Sequence, residues 1–223
     1  MAVAAIVDYG IGNLFSVQSA CEHVGLKGIT TSRKEDILSA DGIILPGVGA
    51  FGDAMARLKE LDLIYVLADC VQNGKPLMGI CLGMQLLMSY SEEFGHHKGL
   101  GFINGAVVRF SDQGQQGKIS KVPEVGWNRV FLPGGQGKDF WNKSPLNDIN
   151  NGEFMYFVHS YYVVTENPSQ VLAVTRYGTT EYCSCLRWQN VFATQFHPER
   201  SAAAGLHIYK NWAMTISSEL CKK

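Results

Sequence analysis

Cysteine, histidine and glutamate occur at spacings that could support covalent catalysis. In the segment GICLG, Cys81 lies between Gly79 and Gly83, after an apolar run and before a stretch with a helical pattern. A strand, a sharp turn and a helix would raise the thiol above the carboxyl end of a sheet, where open α/β folds bind ligands. The first amides of the helix would favour a thiolate and bind an anion. Cys81 is therefore a candidate nucleophile, with a buried structural cysteine beside two packing glycines as the alternative.

A candidate base lies near the other end of the chain. The segment FATQFHPER places His197 and Glu199 just past an apolar, strand-like run. Residues two apart in an extended chain face the same way, so the carboxylate can orient the imidazole for work on a thiol. The alternative is a histidine that simply ends a strand beside the turn-forming Pro198.

A glycine-rich segment supplies a third element. In ILPGVGAFG, residues Gly47, Val48 and Gly49 follow a predicted strand, where their amides could bind an oxyanion. Glycine loops are common, and this segment alone would not indicate catalysis. With the other two segments it completes a nucleophile, a base with its orienting acid, and donors for a developing negative charge.

The apolar pattern predicts how these segments are positioned. In the first half, short apolar runs (VAAIVDYG, GIILPGVGAFG, KPLMGI) alternate with helical patterns (NLFSVQSACEHVG, LIYVLADCVQNG, LGMQLLMSYS). This alternation indicates βαβ units and a parallel sheet with helices on both faces. The second half is richer in strands (GAVVRF, GWNRVFL, EFMYFVHSYYVV, VLAVTRY, EYCSCLRW, VFATQFHPE) and ends in a helix. We predict one α/β domain over residues 1–223, mostly parallel with an added antiparallel portion and surface loops at 112–120 and 133–152.

Composition limits the classes of function. The chain has 223 residues and a net charge of −1, so no basic field is present to bind nucleic acid or an anionic membrane. The apolar N-terminal stretch is short and interrupted by Asp8, which favours a buried strand over a signal peptide or a membrane span. Six scattered cysteines indicate free thiols in a reducing cytoplasm. Cys183 and Cys185 lack partners for a zinc set and are predicted to be core residues facing the same way.

Taken together, the three segments resemble those of the class I (triad) glutamine amidotransferases, and the resemblance covers nearly the whole chain. It rests on the sequence words DYGIGNL, PGVGAFG, GICLGMQLL, VGWN, FVHSYY and QFHPERS. The words DYGIGN, PGVG, GWN and HSY are similar to those of the glutaminase subunits of histidine biosynthesis. The resemblance implies a flavodoxin-like α/β fold, with a central sheet flanked by helices, and hydrolysis of glutamine to glutamate and ammonia.

The resemblance also implies roles for individual residues. Cys81 would be the nucleophile, His197 the general base and acid, and Glu199 its orienting residue. The oxyanion hole would use the amide of Leu82 and one from the Gly47–Gly49 loop, which includes Val48. The positions that match glutamine-binding residues are Gln85, Glu93, Ser160 and Tyr161. No metal or redox cofactor is implied, and His159 is interpreted as structural.

A partner is implied as well. In the resembled subunits, ammonia passes to a (β/α)₈-barrel cyclase, in a heterodimer, which makes imidazole glycerol phosphate and an aminoimidazole carboxamide ribonucleotide. The positions matching the docking face are Asn13, Trp127, Asn128 and Arg200. The alternatives are that Trp127 is a core residue and that Arg200 caps a strand end. Arg200 replaces the usual lysine, and Glu124 stands near the docking word where an acidic residue is unusual.

These departures leave other functions open. A related glutaminase subunit could supply ammonia for amidation of a bacterial surface sugar. A non-enzymatic module of the same fold is disfavoured because all the triad positions are filled. A cysteine peptidase is disfavoured because Gln85 and the HSYY word indicate glutamine rather than a peptide.

Overall fold

The computed structural model describes residues 1–111 and 121–220, with side chains as far as residue 217. The predicted loop at 112–120 and Cys221 therefore lie outside the described residues. The strands are β1 (Val3–Val7), β2 (Lys27–Thr31), β3 (Gly42–Leu45), β4 (Leu77–Ile80), β5 (Met88–Ser91), β6 (His97–Lys98), β7 (Ile103–Arg109), β8 (Glu124–Val130), β9 (Glu153–His159), β10 (Tyr161–Thr165), β11 (Val171–Tyr177), β12 (Thr180–Trp188) and β13 (Val191–Thr194). The α-helices are α1 (Leu14–His23), α2 (Lys34–Ser39), α3 (Phe51–Glu60), α4 (Leu63–Gln72), α5 (Leu82–Leu86) and α6 (Ala202–Leu220).

The large sheet has a parallel part and a largely antiparallel part. The parallel part has the order β2–β1–β3–β4–β13. Strands β3 and β4 are buried along their whole length, which explains their unbroken apolar sequences. The sheet continues antiparallel through β12, β10 and β7, and β11 also pairs with β12. The order ends with β5, parallel to β7, and then β6. The predicted α/β class, mostly parallel with an antiparallel addition, is confirmed.

A separate two-stranded sheet, β8 with β9, covers one face of the large sheet. Its inner side chains, including Met155 and Phe157, are fully buried, whereas Val125, Trp127 and Phe154 on the other face are exposed. This alternation is the pattern expected of antiparallel strands with one face toward a core. This two-stranded sheet therefore presents large apolar side chains on its outer face.

Two predicted elements have different boundaries in the structure. The predicted helix LGMQLLMSYS ends at Leu86, and its second half forms strand β5. Nearly every residue of this stretch is buried, so its apolar residues carry no periodicity that separates helix from strand. The predicted single strand EFMYFVHSYYVV is divided at Ser160 into β9 and β10, which belong to different sheets.

Two further expectations need correction. The segment 133–152 is not only a surface loop, because Trp141 is buried and its Nε1 donates to the carbonyl oxygen of Leu172 at 2.7 Å. Cys183 and Cys185 are both buried, as predicted, but they pack in different core layers. Ser184 is the extra residue of a bulge against β11, and a bulge reverses the alternation of side chains along a strand.

Candidate active site

Cys81 lies at a strained turn between β4 and α5. Its backbone has φ 54° and ψ −108°, a conformation that non-glycine residues rarely adopt. The Cys81 amide donates to the Thr194 carbonyl at 2.7 Å, which ties the turn to β13. A Cβ on Gly83 would lie 1.8 Å from the carbonyl oxygen of Leu45, and one on Gly79 would lie 3.1 Å from the Gly83 backbone. Both glycines are therefore required by close backbone approach, as the sequence predicted.

His197 and Glu199 follow β13 in a short 3₁₀ turn. Nδ1 of His197 lies 2.7 Å from Oε1 of Glu199, and both side chains are almost completely buried. The His197 amide donates to the Tyr156 carbonyl at 2.9 Å, and the Ser201 hydroxyl donates to the His197 carbonyl at 2.7 Å. These bonds fix the backbone on both sides of the imidazole, so the carboxylate holds the ring in one orientation.

The charge of His197 depends on Cys81. Burial alone lowers the pKa of His197, but the thiolate of Cys81 and the bond to Glu199 outweigh burial and raise the pKa to about 10. A hydrogen bond between the His197 side chain and Cys81 contributes to this rise. It falls short of ideal geometry, so Nε2 of His197 has no well-directed partner in the described part of the chain. The imidazole therefore interacts electrostatically with the thiol while Nε2 stays available for proton transfer.

A cavity of about 450 Å³ opens beside Cys81. The predicted glutamine-binding positions all line it, as do Val48, Gly49 and Leu82 of the predicted oxyanion hole, whereas Gly47 does not. The lining residues are Val48, Gly49, Ala50, Cys81, Leu82, Gln85, Glu93, Phe94, Pro123, Val158, His159, Ser160 and Tyr161. A volume of this size suits a small molecule of the dimensions of an amino acid. The structure thus brings residues from distant parts of the chain to one thiol-bearing cavity.

Gln85 is linked to the thiol through a residue that the sequence analysis did not select. Nε2 of Gln85 donates to the Tyr161 carbonyl at 2.9 Å and to Oε1 of Gln195 at 3.2 Å. Nε2 of Gln195, in turn, donates to Sγ of Cys81 at 3.6 Å. Gln195 is fully buried. Its place in the QFHPE word, two residues before His197, was the only sequence signal that could have indicated it.

Glu93 brings a carboxylate to the cavity rim. Its Oε2 accepts a hydrogen bond from the Phe51 amide at 2.5 Å, at the start of α3, where a negative charge is stabilised. Burial raises the pKa of Glu93, and the bond to Phe51 partly offsets that effect. Tyr161 lines the same cavity. The carboxylate of Glu93 could pair with the ammonium group of a free amino acid bound in this cavity.

The loop after β3 is held at one end and exposed at the other. Tyr9 is buried, and its hydroxyl donates to the Pro46 carbonyl at 2.6 Å. A Cβ on Gly47 would lie only 2.3 Å from that hydroxyl, so Gly47 packs directly on Tyr9. In contrast, Val48 is 40% exposed, and Gly49 has φ +106°, which favours glycine. The exposed part of this loop faces the cavity.

Two of the predicted docking residues form an aromatic cluster on the outer face of β8 and β9. Trp127 is 53% exposed, so the alternative that it is a core residue is wrong. Its ring meets Tyr156 edge-on with centroids 6.1 Å apart. The guanidinium carbon of Arg200 lies 4.2 Å from the centre of the Tyr156 ring. An exposed cluster of this composition is typical of protein interfaces.

The other two docking residues differ from each other. Asn13 is exposed, and its Oδ1 accepts from the Ser16 amide at 3.3 Å, which caps α1. Asn128 turns its side chain away from the outer face. Its Nδ2 donates to Oε1 of Glu124 at 2.7 Å and to the Arg176 carbonyl at 2.9 Å. The Asn128 side chain is therefore linked by a hydrogen bond to the buried Glu124.

A second buried pair of glutamate and histidine lies at the cavity wall, to which His159 contributes. Nδ1 of His159 is 2.9 Å from the Tyr161 carbonyl, and Nε2 is 3.2 Å from the Tyr182 hydroxyl. The Tyr182 hydroxyl is 2.9 Å from Oε2 of Glu124, and Nε2 of His159 is 3.5 Å from that oxygen. Burial lowers the pKa of His159 to about 4 and raises the pKa of Glu124. Both groups are therefore driven toward their neutral forms.

Within residues 1–111 and 121–220, no group of three or more histidine, cysteine, aspartate or glutamate side chains could hold a metal ion. In the same part of the chain, no helix has the length and apolar character needed to span a bilayer.

Comparison with known proteins identifies the family. The sequence profile of the class-I glutamine amidotransferases matches residues 5–216. The chain therefore belongs to this family, as the sequence motifs predicted. A solved structure described as a glutamine amidotransferase superposes with a TM-score of 0.70 at 18% identity, covering 96% of this chain and 98% of that one. This likeness supports the fold.

More similar relatives carry a more specific name. A protein of Syntrophotalea carbinolica is 46% identical over 209 residues, covering 93% of this chain and 97% of the relative. A protein of Geobacillus thermodenitrificans is 44% identical over 217 residues, covering 97% of this chain and 98% of the relative. Both are named imidazole glycerol phosphate synthase subunit HisH.

Proposed function

We propose that this chain is the glutaminase subunit of an imidazole glycerol phosphate synthase and hydrolyses L-glutamine to glutamate and ammonia. The observation that supports this most directly is His197, which is bonded to Glu199 on one side and on the other interacts with Cys81, a residue that lines an amino-acid-sized cavity. The name of the relatives supports the more specific function.

In the first half of the reaction, Cys81 is the nucleophile. Its thiolate attacks the side-chain amide carbon of glutamine, and the amide of Leu82 with one from Val48 or Gly49 binds the oxyanion. First-turn amides of a helix have no acceptor within that helix, so Leu82 can serve. Because its pKa is about 10, His197 begins as an imidazolium and protonates the leaving ammonia. A γ-glutamyl thioester remains on the enzyme.

In the second half, neutral His197 accepts a proton from water as the water attacks the thioester. The tetrahedral intermediate expels the Cys81 thiolate, and glutamate leaves. The imidazolium and thiolate are thereby regenerated for another cycle. Glu199 acts throughout by holding Nδ1–H, so that Nε2 always faces the reacting atoms.

The cavity offers complementary partners for free glutamine. We assign Glu93 to the substrate ammonium group, and Ser160 with Tyr161 to its carboxylate. Gln85 lies one helical turn from Cys81 and contributes to the same wall. These assignments give each charged group of free glutamine a partner. A glutamine within a peptide has no free ammonium or carboxylate group, so these partners favour the free amino acid.

The ammonia requires an acceptor. We propose a cyclase partner, a (β/α)₈ barrel in a heterodimer with this chain, which docks at Asn13, Trp127, Asn128 and Arg200. Trp127 and Arg200 are suited to act as anchors because both lie on the exposed aromatic cluster. Residues 1–223 act as one domain in this arrangement, and the cytoplasmic location inferred from the sequence remains a prediction. Amidation of a surface sugar is less favoured because the reported relatives carry the synthase name.

The test is an assay of glutamate release from glutamine, with the purified chain alone and with a cyclase subunit and its nucleotide substrate. We expect glutamate release in the loaded complex, with imidazole glycerol phosphate formed in equal amount. Glutamate release that is never coupled to this product would reject the synthase assignment, and absence of glutamate under all conditions would reject the glutaminase.

A further inference from the structure

The pair of Glu124 and His159 has a hydrogen-bonding arrangement that limits where its protons can be. Tyr182 lies between them, and each contact is 3.5 Å or shorter. The side chains of Glu124 and His159 are each only 3% exposed, so water cannot easily replace a missing partner. At its other nitrogen, His159 faces the Tyr161 carbonyl, which can only accept.

If Glu124 is ionised and His159 neutral, one close contact is always between two acceptors. The Tyr182 hydroxyl would donate to the carboxylate and could not also donate to the imidazole. A proton on Nδ1 would then leave Nε2 facing the Tyr182 oxygen, and a proton on Nε2 would leave Nδ1 facing the Tyr161 carbonyl. Two buried lone pairs at about 3 Å are costly. The cluster therefore requires one more proton than this state contains.

Two states contain that proton. In the first, His159 is an imidazolium and Glu124 a carboxylate. In the second, the acid group of Glu124 donates to Tyr182, the Tyr182 hydroxyl donates to Nε2, and Nδ1–H donates to the Tyr161 carbonyl. His197 also opposes a positive charge on His159. Burial and this neighbouring charge both favour the second state.

We infer that Glu124 is held as the neutral acid and, through Tyr182, makes His159 a fixed donor to the Tyr161 carbonyl, so that Glu124 is a positioning residue for glutamine binding. The Tyr161 carbonyl also accepts from Gln85 at 2.9 Å. Its orientation sets the Ser160–Tyr161 wall of the cavity. On the other side, Oε1 of Glu124 accepts from Asn128, so the same unit connects strand β8 to the cavity.

The functional part of this inference rests on the proposed glutaminase activity and is tested by kinetics. Glu124→Leu should raise the KM for glutamine about tenfold, equivalent to about 1.4 kcal/mol, with kcat changed much less. Glu124→Gln should recover most of this loss, because its amide can still donate to Tyr182 and accept from Asn128. Tyr182→Phe removes only the hydroxyl and should raise KM in the same direction. Glu181→Gln, exposed beside Tyr182 on β12, is the control.

The outcomes separate clearly. If Glu124→Leu folds and Tyr182→Phe is active, but both keep the wild-type KM, the positioning role is rejected. If Glu124→Gln is as impaired as Glu124→Leu, the neutral-acid state is rejected, because only an ionised carboxylate would lose its function in the glutamine variant. If Glu124→Leu does not fold, Tyr182→Phe carries the kinetic test alone.

The proton itself can be measured without activity. An infrared difference spectrum between wild type and Glu124→Gln at neutral pH should show the carbonyl band of a buried carboxylic acid. Nitrogen NMR should show His159 neutral with its proton on Nδ1. Carboxylate bands, or an imidazolium at His159, would overturn the inference. These spectra remain decisive even if the chain fails to hydrolyse glutamine, so the two proposals can fail separately.

Discussion

The molecule contains two buried pairs of histidine and glutamate with opposite acid–base properties. His197 contacts Glu199 directly at 2.7 Å, and its pKa is raised to about 10. His159 is 3.5 Å from Glu124 with Tyr182 between them, and its pKa is lowered to about 4. Burial opposes the charge on both imidazoles. The difference comes from the neighbouring Cys81 thiolate and the direct carboxylate bond, which only His197 has.

The two pairs also differ in what their ring nitrogens can do. Nε2 of His197 has no well-directed hydrogen-bond partner among the described residues, whereas both nitrogens of His159 have one. The neighbour of His197 Nε2 is Cys81, the nucleophile of the proposed mechanism, so this nitrogen can exchange a proton during the reaction. Both nitrogens of His159 face groups that hold it in place within the fold. Burial and residue types are similar in the two pairs, so the chemical role depends on the third group that completes each one.

The largest effect should come from Cys81→Ala. We expect at least a ~10⁴-fold loss of glutamate release, because no other group can form the thioester. The pKa of His197 should fall as well, since the thiolate that raises it is absent, and NMR titration of the imidazole would measure this.

Cyclase turnover with added ammonium salt should continue in the Cys81→Ala complex, because the partner's own site is unchanged. Cys183→Ala, a buried position away from the cavity lining, serves as the matched control. Substantial glutaminase activity in Cys81→Ala would refute the assignment of the nucleophile.

Glu199→Gln should be the next most severe change. The amide cannot hold Nδ1–H as an ionised carboxylate does, and it offers less stabilisation to the imidazolium. We expect a loss of about 10³-fold in kcat and a lower pKa at His197. The acidic residue of the second pair gives the comparison, because Glu124→Gln should lose far less. Equal losses in the two variants, measured by initial rates of glutamate release, would show that the pairs are not functionally different.

Gly49→Pro tests whether the conformation of the exposed loop limits the rate of glutamate release. Proline requires φ near −65°, whereas Gly49 has φ +106°, so the substitution must change the path of the loop. Removing one oxyanion donor typically costs ~10²–10³ in kcat. We expect the isolated chain to have low activity, the loaded wild-type complex to gain about 10²-fold, and Gly49→Pro to lose most of that gain.

Partner affinity, measured by titration calorimetry, should change little in Gly49→Pro, because the loop is not among the proposed docking residues. Full activity of the isolated wild-type chain, or no increase on loading the complex, would show that the loop does not limit the reaction.

The bend at Cys81, the contact between His197 and Glu199 and the fold class could be predicted because local sequence encodes them. The glycines beside Cys81 indicate a close backbone approach. The spacing of His197 and Glu199 indicates that their side chains meet, although they meet across a 3₁₀ turn and not along the extended chain that was predicted. The unbroken apolar sequences of β3 and β4 report strands buried on both faces. In each case the physical requirement acts on residues that are adjacent in the chain, so the requirement is visible as a short pattern.

The remaining features depend on contacts between distant residues. His159 was interpreted as structural because its sequence neighbours are aromatic, but its properties come from Glu124, 35 positions earlier, and from Tyr182 on another strand. Gln195 was missed because its partners, Gln85 and Cys81, are more than 100 positions away. The strand β5 was predicted as helix because pairing with β7, not periodicity, determines it.

The smallest predicted effect is a difference in the pH dependence of stability. His159 has a native pKa of about 4, below the ordinary value of 6.5, so the unfolded chain binds a proton there that the native chain does not. Stability should therefore fall as pH decreases from about 6.5 toward 4. This residue should contribute about 2 kcal/mol of that loss between pH 7 and 4.5. His197 has the opposite sign, because its raised pKa gives stability that is present below about 6.5 and is lost as pH rises through about 10.

Urea unfolding of wild type, His159→Gln and His197→Gln at a series of pH values would measure both slopes. Each substitution also shifts the midpoint at every pH through lost contacts, so the informative quantity is the change in slope rather than the absolute stability. His159→Gln should flatten the acid side of the curve and leave the alkaline side unchanged, and His197→Gln should do the reverse. If both variants flatten the same side, the two histidines share one acid–base environment, and the contrast between the pairs is wrong.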